Sequence, residues 1–186
     1  MTLPMTYAAL IAAEFRRIRP VDLLEIDHLN RALDWVRSGA TLCRMAPPAT
    51  PPLHLVSYFP VVNDGHILLG DHISSGLWLP PGGHVEPDEH PRDTVQRECL
   101  EELRMPARFL SDGPVFLTIS ATVGAKPHED VSLWYPVQGH AGQIPDYDRR
   151  EYRNMHWFRF DDAPLDDTDP NLERFLGKLR GNQLVA

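Results

Sequence analysis

The segment that most constrains this chain runs from Gly82 to Met105 and reads GGHVEPDEHPRDTVQRECLEELRM. Its second half predicts a helix over about residues 90–103. Three glutamates on that helix follow the i, i+3, i+4 spacing that places side chains on one face: Glu98, Glu101 and Glu102. Three apolar residues, each four apart, form the opposite face: Val95, Cys99 and Leu103. The pattern predicts a helix that packs on a sheet and presents carboxylates outward.

Two explanations fit a face of three carboxylates. Like charges at i, i+4 destabilise a helix by roughly 0.2–0.5 kcal/mol per pair, so without metal the three glutamates are expected to repel one another at neutral pH. A helix tolerates this when the face meets water, and glutamate is a good surface helix former. It also tolerates it when hard divalent cations such as Mg²⁺ or Mn²⁺ occupy the face. Spacing alone leaves both explanations open.

The segment resembles the signature of the Nudix hydrolases, G-x5-E-x7-R-E-U-x-E-E-x-G-U, in which U is a bulky apolar residue. The identical positions are Gly83, Glu89, Arg97, Glu98, Glu101 and Glu102. Two positions depart from it. Cys99 is small for the first apolar position, and Arg104 replaces a glycine that ends the helix in a left-handed conformation, at a cost of up to about 1 kcal/mol.

The resemblance implies an α/β (α+β) fold, a Nudix-type α/β/α sandwich with a mixed β-sheet. We expect an N-terminal helical extension over residues 1–46 and a Nudix domain with a C-terminal helix over residues 53–186. The hydrophobic pattern predicts helices up to Pro20 and over 21–36, separated from the domain by a proline-rich connector at 47–52. It further predicts a hairpin at Asp64-Gly65, a loop over 77–88, strands over 114–123, 130–138 and 155–160, and a helix over 171–180.

The resemblance also implies a chemistry. It is that of a metal-dependent pyrophosphohydrolase, which cleaves a nucleoside diphosphate linked to another moiety, as in a nucleoside triphosphate, a nucleotide sugar or ADP-ribose. Mg²⁺ is the expected cofactor, with Mn²⁺ as a substitute. The implied metal ligands are Glu98, Glu101, Glu102 and the carbonyl of Gly82. Glu98 is the first choice for the general base, and Glu89 and Arg97 are expected to support it.

Candidates outside this core are less specific. His84, Glu86 and Trp78 are candidate substrate-binding residues, each with a solvent or packing role as the alternative. Glu151 is the best candidate for a further acidic ligand, with Glu129 and Asp130 as rivals. Three more aromatic residues are candidates for base stacking, although strand aromatics are more often core residues: Tyr58, Phe116 and Trp134. Three histidines are not at the spacing of a metal motif: His72, His84 and His128.

Charge and composition limit the partners. The chain carries 18 Lys and Arg against 26 Asp and Glu, a net charge of −8, which argues against nonspecific nucleic-acid binding. An acidic protein can bind a polyanion through cations that it holds. The two cysteines are too few for a disulfide framework, and no stretch approaches a membrane span. We therefore expect a cytoplasmic protein that binds a small-molecule nucleotide derivative, with no membrane contact and a homodimer as a possible assembly.

Two other functions are considered beside the pyrophosphohydrolase. A nucleotide-sensing Nudix module without catalysis commonly lacks the glutamates of the signature, whereas this chain retains them. An enzyme similar to isopentenyl-diphosphate isomerase requires a catalytic cysteine in the early strands. Cys99 lies on the inner face of the predicted helix and Cys43 precedes the first strand, so neither suits that role.

Overall fold

Four helices and nine strands build the structure, a computed structural model that describes residues 5–46, 50–122 and 128–181. The helices are α1 (Tyr7–Arg17), α2 (Leu23–Arg37), α3 (Pro91–Leu103) and α4 (Leu172–Gly181), with a 3-10 turn at Leu165–Asp167. The first five strands are β1 (Leu53–Tyr58), β2 (Val61–Asn63), β3 (His66–His72), β4 (Trp78–Leu79) and β5 (Gly82–His84). The others are β6 (Phe116–Ala121), β7 (Glu129–Trp134), β8 (Val137–Gln138) and β9 (Tyr152–Arg159).

The strands form two mixed sheets. The first has the order β5-β1-β7-β6, in which β1 and β7 are parallel and the other pairs antiparallel. The second has the order β4-β3-β2-β8, with β9 also paired to β3 and with β2 and β8 parallel. Helices pack on these sheets, which confirms the α+β class with mixed strand pairing.

The structure differs from the sequence expectation in three places. The segment 77–88 contains the short strands β4 and β5 and is not a loop throughout. The run 130–138 divides into β7 and β8, which belong to different sheets, because Pro136 between them has no N–H to continue a ladder. Strand β9 begins at Tyr152, earlier than predicted. Residues 47–49 of the connector and residue 123 of the predicted strand lie outside the described residues.

Two hydrophobic clusters occupy opposite faces of the first sheet. On one face α1, α2 and α3 cover side chains such as Leu55 and Leu133. The Ser57 hydroxyl on this face donates to the Pro91 carbonyl at 2.9 Å, which attaches the start of α3 to β1. On the other face Trp134 packs against Phe175 of α4. Because neighbouring strand residues face opposite ways, each strand contributes to both clusters.

The N-terminal helices share the core of the rest of the chain. Ile11 and Phe15 of α1 are fully buried in the cluster that also contains β1 and β7 residues. Only some of the apolar residues of α2 are buried. Leu29 and Val36 are buried, whereas three residues of its first turn are exposed: Leu23, Leu24 and Ile26. Within the described residues no helix is long and apolar enough to cross a membrane.

Ion pairs connect the start of α2 to α4. The Asp22 carboxylate accepts the Glu25 N–H at 2.8 Å as an N-cap and accepts two bonds from Arg174 at 2.6 and 2.9 Å. These hydrogen bonds lower the pKa of Asp22, above all the one from Arg174, against the effect of burial. One turn further on, Glu25 and Lys178 form an ion pair that is almost completely buried. These contacts make the N-terminal helices part of one packed structure.

Replacing Asp22 with Ala is expected to lower the free energy of unfolding by about 1–2 kcal/mol, because the helix loses its cap and Arg174 loses its partner. Asp22→Asn keeps a capping side chain, so its free energy of unfolding should fall by roughly half as much. Asp27→Ala removes an exposed carboxylate from the same helix and should stay within about ±0.5 kcal/mol. Urea unfolding of the three variants measures the difference. An Asp22→Ala effect as small as that of Asp27→Ala would contradict the assigned contact.

Candidate active site

Helix α3 forms where the sequence predicts it. The His90 Nδ1 accepts the Arg92 N–H at 3.1 Å as an N-cap, and Pro91 occupies the first helical position, where no N–H is needed. Val95, Cys99 and Leu103 are fully buried, so the predicted apolar face does pack inward. The small Cys99 fits because this face lies directly against the core.

Helix α3 ends in a left-handed residue even though glycine is absent. Arg104 has φ 51° and ψ 28°, the conformation that glycine adopts at little cost. Its side chain is exposed and makes a long hydrogen bond to the Leu100 carbonyl at 3.4 Å. The scaffold imposes this conformation on an unfavourable residue type.

Arg104→Gly is therefore expected to raise the free energy of unfolding by up to about 1 kcal/mol. Arg104→Ala is the matched control, since it removes the same side chain but keeps a Cβ at positive φ. Thermal unfolding should show the gain for glycine and none for alanine. Equal stability of the two variants would mean that the backbone at this position carries no strain.

The three glutamates differ in their surroundings. The Glu98 side chain is 14% exposed and that of Glu101 is 61% exposed, whereas Glu102 as a residue is 8% exposed. Glu98 lies directly against Gly83 of β5, where a Cβ would stand 2.0 Å from the Glu98 Oε1. Only glycine leaves room for that carboxylate. Close approach of the loop to the helix thus accounts for a glycine at this position of the signature.

Glu102 is buried beneath β9. Its Oε2 accepts the Tyr152 hydroxyl at 2.8 Å, and Gly82 contributes a backbone hydrogen bond. Burial raises the pKa of Glu102 to about 8, with further contributions from the charges of Glu98 and Glu151, while the hydrogen bond from Tyr152 opposes the rise. Without metal, Glu102 therefore holds a proton at neutral pH. The expectation of three mutually repelling charges is wrong at this residue, because burial neutralises it.

Arg97 connects the loop to the helix. Its guanidinium donates to both Glu89 carboxylate oxygens at 2.9 and 3.0 Å, to Glu98 Oε1 at 2.6 Å and to the His84 carbonyl at 3.2 Å. The Thr94 hydroxyl adds a bond to Glu89 at 2.7 Å. Burial opposes ionisation of Glu89, but the bonds from Arg97 and Thr94 prevail and lower its pKa. Glu89 stays charged and holds Arg97 beside Glu98.

Opposing effects act on the pKa of Glu98. Burial raises its pKa, while the hydrogen bond and the charge of Arg97 lower it, and the net direction is upward. A partly buried carboxylate with a raised pKa, next to a fixed cation and a glycine loop, is a chemically suitable proton acceptor. The Glu101 carboxylate lies 3.6 Å from the same guanidinium and faces solvent.

The turn before β9 brings a further carboxylate to this region. Glu151 is half exposed, lies 3.8 Å from the His72 Nε2, and is near enough to raise the pKa of Glu102. Asp148, which the sequence did not suggest, fixes the turn, since its N–H donates to the Glu102 carbonyl at 2.7 Å and its carboxylate binds Arg150. The rival Glu129 lies elsewhere, 3.5 Å from Arg31.

Other candidates lie away from the glutamates of α3. The Glu86 side chain is exposed, and its backbone N–H donates to Glu89. Trp78 packs edge-on against Phe158 at 5.2 Å between ring centroids. Phe116 and Trp134 are fully buried in the core. A cleft of about 420 Å³ borders Met105, Arg108 and Trp157 and has no α3 glutamate among its lining residues.

Three histidines lie close together in the structure, an arrangement that the sequence did not predict. His84 follows Gly83 in β5, and its ring lies with those of His54 and His128, at centroid distances from His54 of 5.0 and 4.8 Å. His84 and His128 are not at the spacing of a metal motif along the chain, but strand pairing brings them close together in space. Asp130 joins this group. Burial lowers the pKa of His54, and lowers that of His84 to about 3.

Comparison with known proteins agrees with this geometry. The NUDIX domain model matches residues 53–179. The CTP pyrophosphohydrolase of Escherichia coli (strain K12) is 32% identical over 130 residues, covering 62% of this chain and 86% of that protein. The m7GpppN-mRNA hydrolase NUDT17 of Bos taurus is 50% identical over 52 residues, which are 27% of this chain but only 17% of that protein.

Solved structures show the same fold. The MutT NUDIX hydrolase from Burkholderia pseudomallei superposes with a TM-score of 0.53 at 23% identity, covering 68% of this chain and 98% of that chain. The MutT protein from Methanosarcina mazei Go1 gives a TM-score of 0.55 at 17% identity, with 74% and 99% covered. The chain belongs to the Nudix family. The family match supports the class of hydrolases that act on phosphoric anhydride bonds.

Proposed function

We propose that this chain is a metal-dependent pyrophosphohydrolase that cleaves a nucleoside diphosphate linked to another moiety. The observation that carries the proposal is the approach of Glu98 and Glu102 of α3 to the glycine loop at Gly83 and Gly82, with Glu101 beside Arg97 on the same helix. A Cβ at Gly83 would stand 2.0 Å from the Glu98 Oε1 and would displace that carboxylate. A solvated acidic face needs no such close approach and no buried Glu102.

The donor set suits a hard divalent cation. Carboxylate and carbonyl oxygens are the ligands that Mg²⁺ and Mn²⁺ prefer. Glu98, Glu101, Glu102 and the Gly82 carbonyl are the proposed ligands, and Glu151 is the proposed additional one. When bound, Mg²⁺ screens the diphosphate and lowers the pKa of a coordinated water. The raised pKa of Glu102 means that metal binding at neutral pH displaces a proton from this residue.

The chain's own residues divide the remaining work. Glu98 is the proposed base that takes a proton from the attacking water, because it lies partly buried beside the loop and has a raised pKa. Arg97 holds the Glu98 carboxylate through a 2.6 Å hydrogen bond, and Glu89 holds Arg97 with two more. Water adds to phosphorus, the phosphoanhydride bond breaks, and the two phosphate products leave. Arg97 and Glu89 are positioning residues in this scheme.

Nucleoside triphosphates are the substrates to test first. The relative that this chain covers to 86% of its length is named a CTP pyrophosphohydrolase, and the shorter match is named an mRNA cap hydrolase. Nucleotide sugars and ADP-ribose complete the panel. Glu86 and Trp78 remain the proposed substrate-binding residues. The third candidate, His84, has its ring 5.0 Å from that of His54, which disfavours a substrate-binding role for it.

The cysteines do not favour the isomerase alternative. Cys43 is 3% exposed and Cys99 fully buried, and burial raises the pKa of both thiols, that of Cys99 to about 12. A thiol in this state is a hydrophobic core residue.

The remaining proposals concern location, assembly and domain division. They are a cytoplasmic location, a homodimer and the division into residues 1–46 and 53–186.

Metal dependence is the direct test. The purified chain is incubated with nucleoside triphosphates, nucleotide sugars and ADP-ribose in Mg²⁺, and the released phosphate, pyrophosphate and nucleotide are measured. Hydrolysis of at least one substrate is expected in Mg²⁺ or Mn²⁺, and excess EDTA should abolish it because the carboxylates then hold no cation. Full activity in excess chelator would contradict the mechanism. No turnover of any substrate would favour the nucleotide-sensing module, which direct binding to the same panel would reveal.

A further inference from the structure

A second group of ligand atoms lies on the far side of the first sheet from α3. It consists of three imidazoles and one carboxylate: His54, His84, His128 and Asp130. One ligand atom of each lies within 4.8 Å of those of all the others. His54 is fully buried, and the other three residues are partly buried. We call this group the histidine cluster.

Strand register builds the histidine cluster. His54 of β1 is paired with Asp130 of β7, and Val56, two residues along β1, is paired with His84 of β5. Since residues two apart on a strand share a face, the side chains of His54, His84 and Asp130 lie on one face. Gly83, the neighbour of His84, lies on the opposite face against Glu98. The cluster is therefore separated from the α3 glutamates by the sheet.

The proton positions leave His54 with a lone pair toward the cluster. Its Nδ1 lies 2.8 Å from the Pro51 carbonyl oxygen, which can only accept, so Nδ1 carries the ring proton of the neutral imidazole. The Nε2 then has no proton, and it lies 3.3 Å from the Asp130 Oδ1, which is also an acceptor. Two buried acceptors that face each other need either a proton or a metal cation between them.

Three atoms of the histidine cluster lack a hydrogen bond within the part of the chain that the structure describes. Among the residues that the structure describes, the His54 Nε2, the His84 Nε2 and the Asp130 Oδ1 are buried without a hydrogen-bond partner. Buried polar atoms of this kind are rare in folded proteins and call for a specific explanation. The carbonyl that fixes the His54 ring is the outer hydrogen bond that metal-bound histidines typically make. His128 resembles it, with its Nδ1 3.1 Å from the Thr122 hydroxyl.

We propose that the histidine cluster binds one divalent transition-metal ion of the zinc class, separately from the cations proposed for α3. Imidazole nitrogens suit Zn²⁺ and its neighbours, whereas Mg²⁺ prefers oxygen. In a tetrahedral zinc site with bonds of about 2.0–2.2 Å, the ligand atoms are about 3.3–3.5 Å apart. The Asp130 Oδ1 is 3.3 Å from the His54 Nε2 and 3.4 Å from the His128 Nε2. All four ligand atoms lie within 4.8 Å of one another, so small side-chain shifts would bring them to the spacing of a four-coordinate ion.

Four protein ligands make this a closed site of the structural type. The ion joins β1, β5 and the start of β7. Since β5 also carries the glycines of the catalytic loop, the ion anchors the back of the strand whose front contacts Glu98. Its expected role is to fix this strand and not to take part in hydrolysis.

Co²⁺ binding in the presence of excess Mg²⁺ tests the proposal. Mg²⁺ occupies the oxygen ligands of α3, and Co²⁺ reports a site with histidine ligands through its visible absorption. The metal-stripped full-length chain should bind one Co²⁺ per chain, and Zn²⁺ should displace it. His54→Gln should weaken Co²⁺ binding by more than about 100-fold, since loss of an outer partner alone costs 10–100-fold. Asp130→Asn should do the same, and provides the test if His54→Gln does not fold.

Two control variants test whether the Co²⁺ absorption arises from the histidine cluster. His140→Gln removes an exposed histidine outside the cluster and should leave Co²⁺ binding unchanged. Glu98→Gln alters the α3 site and should also leave it unchanged. A wild-type chain without stoichiometric Co²⁺ absorption would overturn the proposal. So would a signal that Glu98→Gln abolishes and that His54→Gln or Asp130→Asn preserves. Because the readout is metal binding, the result is independent of whether the chain hydrolyses any nucleotide.

Discussion

Glu98→Gln is expected to reduce turnover by about 10²- to 10⁴-fold, the range that general-base catalysis typically contributes. Glutamine keeps the shape of the side chain beside Gly83, so the loop should stay in place. It cannot take the proton from water, and it weakens the bond that Arg97 donates at 2.6 Å. The measurement is kcat at saturating substrate and Mg²⁺, together with its dependence on pH.

The matched control is Glu173→Gln, which changes an exposed glutamate on α4. It should leave turnover unchanged. In the wild type, turnover should fall at low pH as Glu98 takes up a proton, and the raised pKa of Glu98 moves this acid limb upward from the range of an ordinary glutamate. Turnover of Glu98→Gln within a few fold of wild type would exclude Glu98 as the base and direct attention to carboxylates outside α3, with Glu151 first.

Local spacing predicted most of the glutamate site. The positions of Glu98, Glu101 and Glu102 on one face follow from helix geometry, and the apolar face of Cys99 and Leu103 follows from the same period. Both features depend only on residues a few positions apart, which is why the sequence alone is sufficient for them. The α+β class followed in the same way from the order of helical and extended patterns.

The sequence did not predict properties that depend on distant contacts. The proton on Glu102 results from burial under Tyr152, whose position depends on the pairing of β9 with β3. The histidine cluster depends on the register of β1 with β5 and β7. Alternation within β1 shows that His54 shares a face with Val56, but it does not identify which strands lie beside it.

The difference between Glu98 and Glu102 shows how one helix face provides two kinds of carboxylate. Glu98 is partly buried and has a guanidinium within hydrogen-bond distance, whereas Glu102 is buried and has a neutral phenol. The cation stabilises a charged Glu98, whereas the phenol only partly offsets the burial of Glu102. A metal ion must therefore compete with a proton at Glu102 more than at Glu98.

Glu102→Gln should consequently have opposite effects on stability and on catalysis. In the metal-free wild type the pKa of Glu102 is raised from 4.5 to about 8. The stability that this proton provides is full below about pH 4.5 and is lost as the pH rises through about 8. Glutamine never ionises, so the metal-free variant should become more stable than the wild type as the pH rises across this window. The expected difference is on the order of a few kcal/mol.

With Mg²⁺ present the comparison reverses. The cation stabilises the ionised Glu102 of the wild type, whereas the variant lacks this ligand, so Mg²⁺ should raise the Tm of the wild type more than that of the variant. Turnover of Glu102→Gln should fall by about 10²-fold or more, which corresponds to about 2.7 kcal/mol of transition-state stabilisation. Thermal unfolding from pH 5 to pH 9, with Mg²⁺ or with EDTA, measures both stability effects on one pair of proteins. A solvated acidic face predicts normal turnover and a stability difference within about ±0.5 kcal/mol at every pH, and that result would exclude Glu102 as a metal ligand.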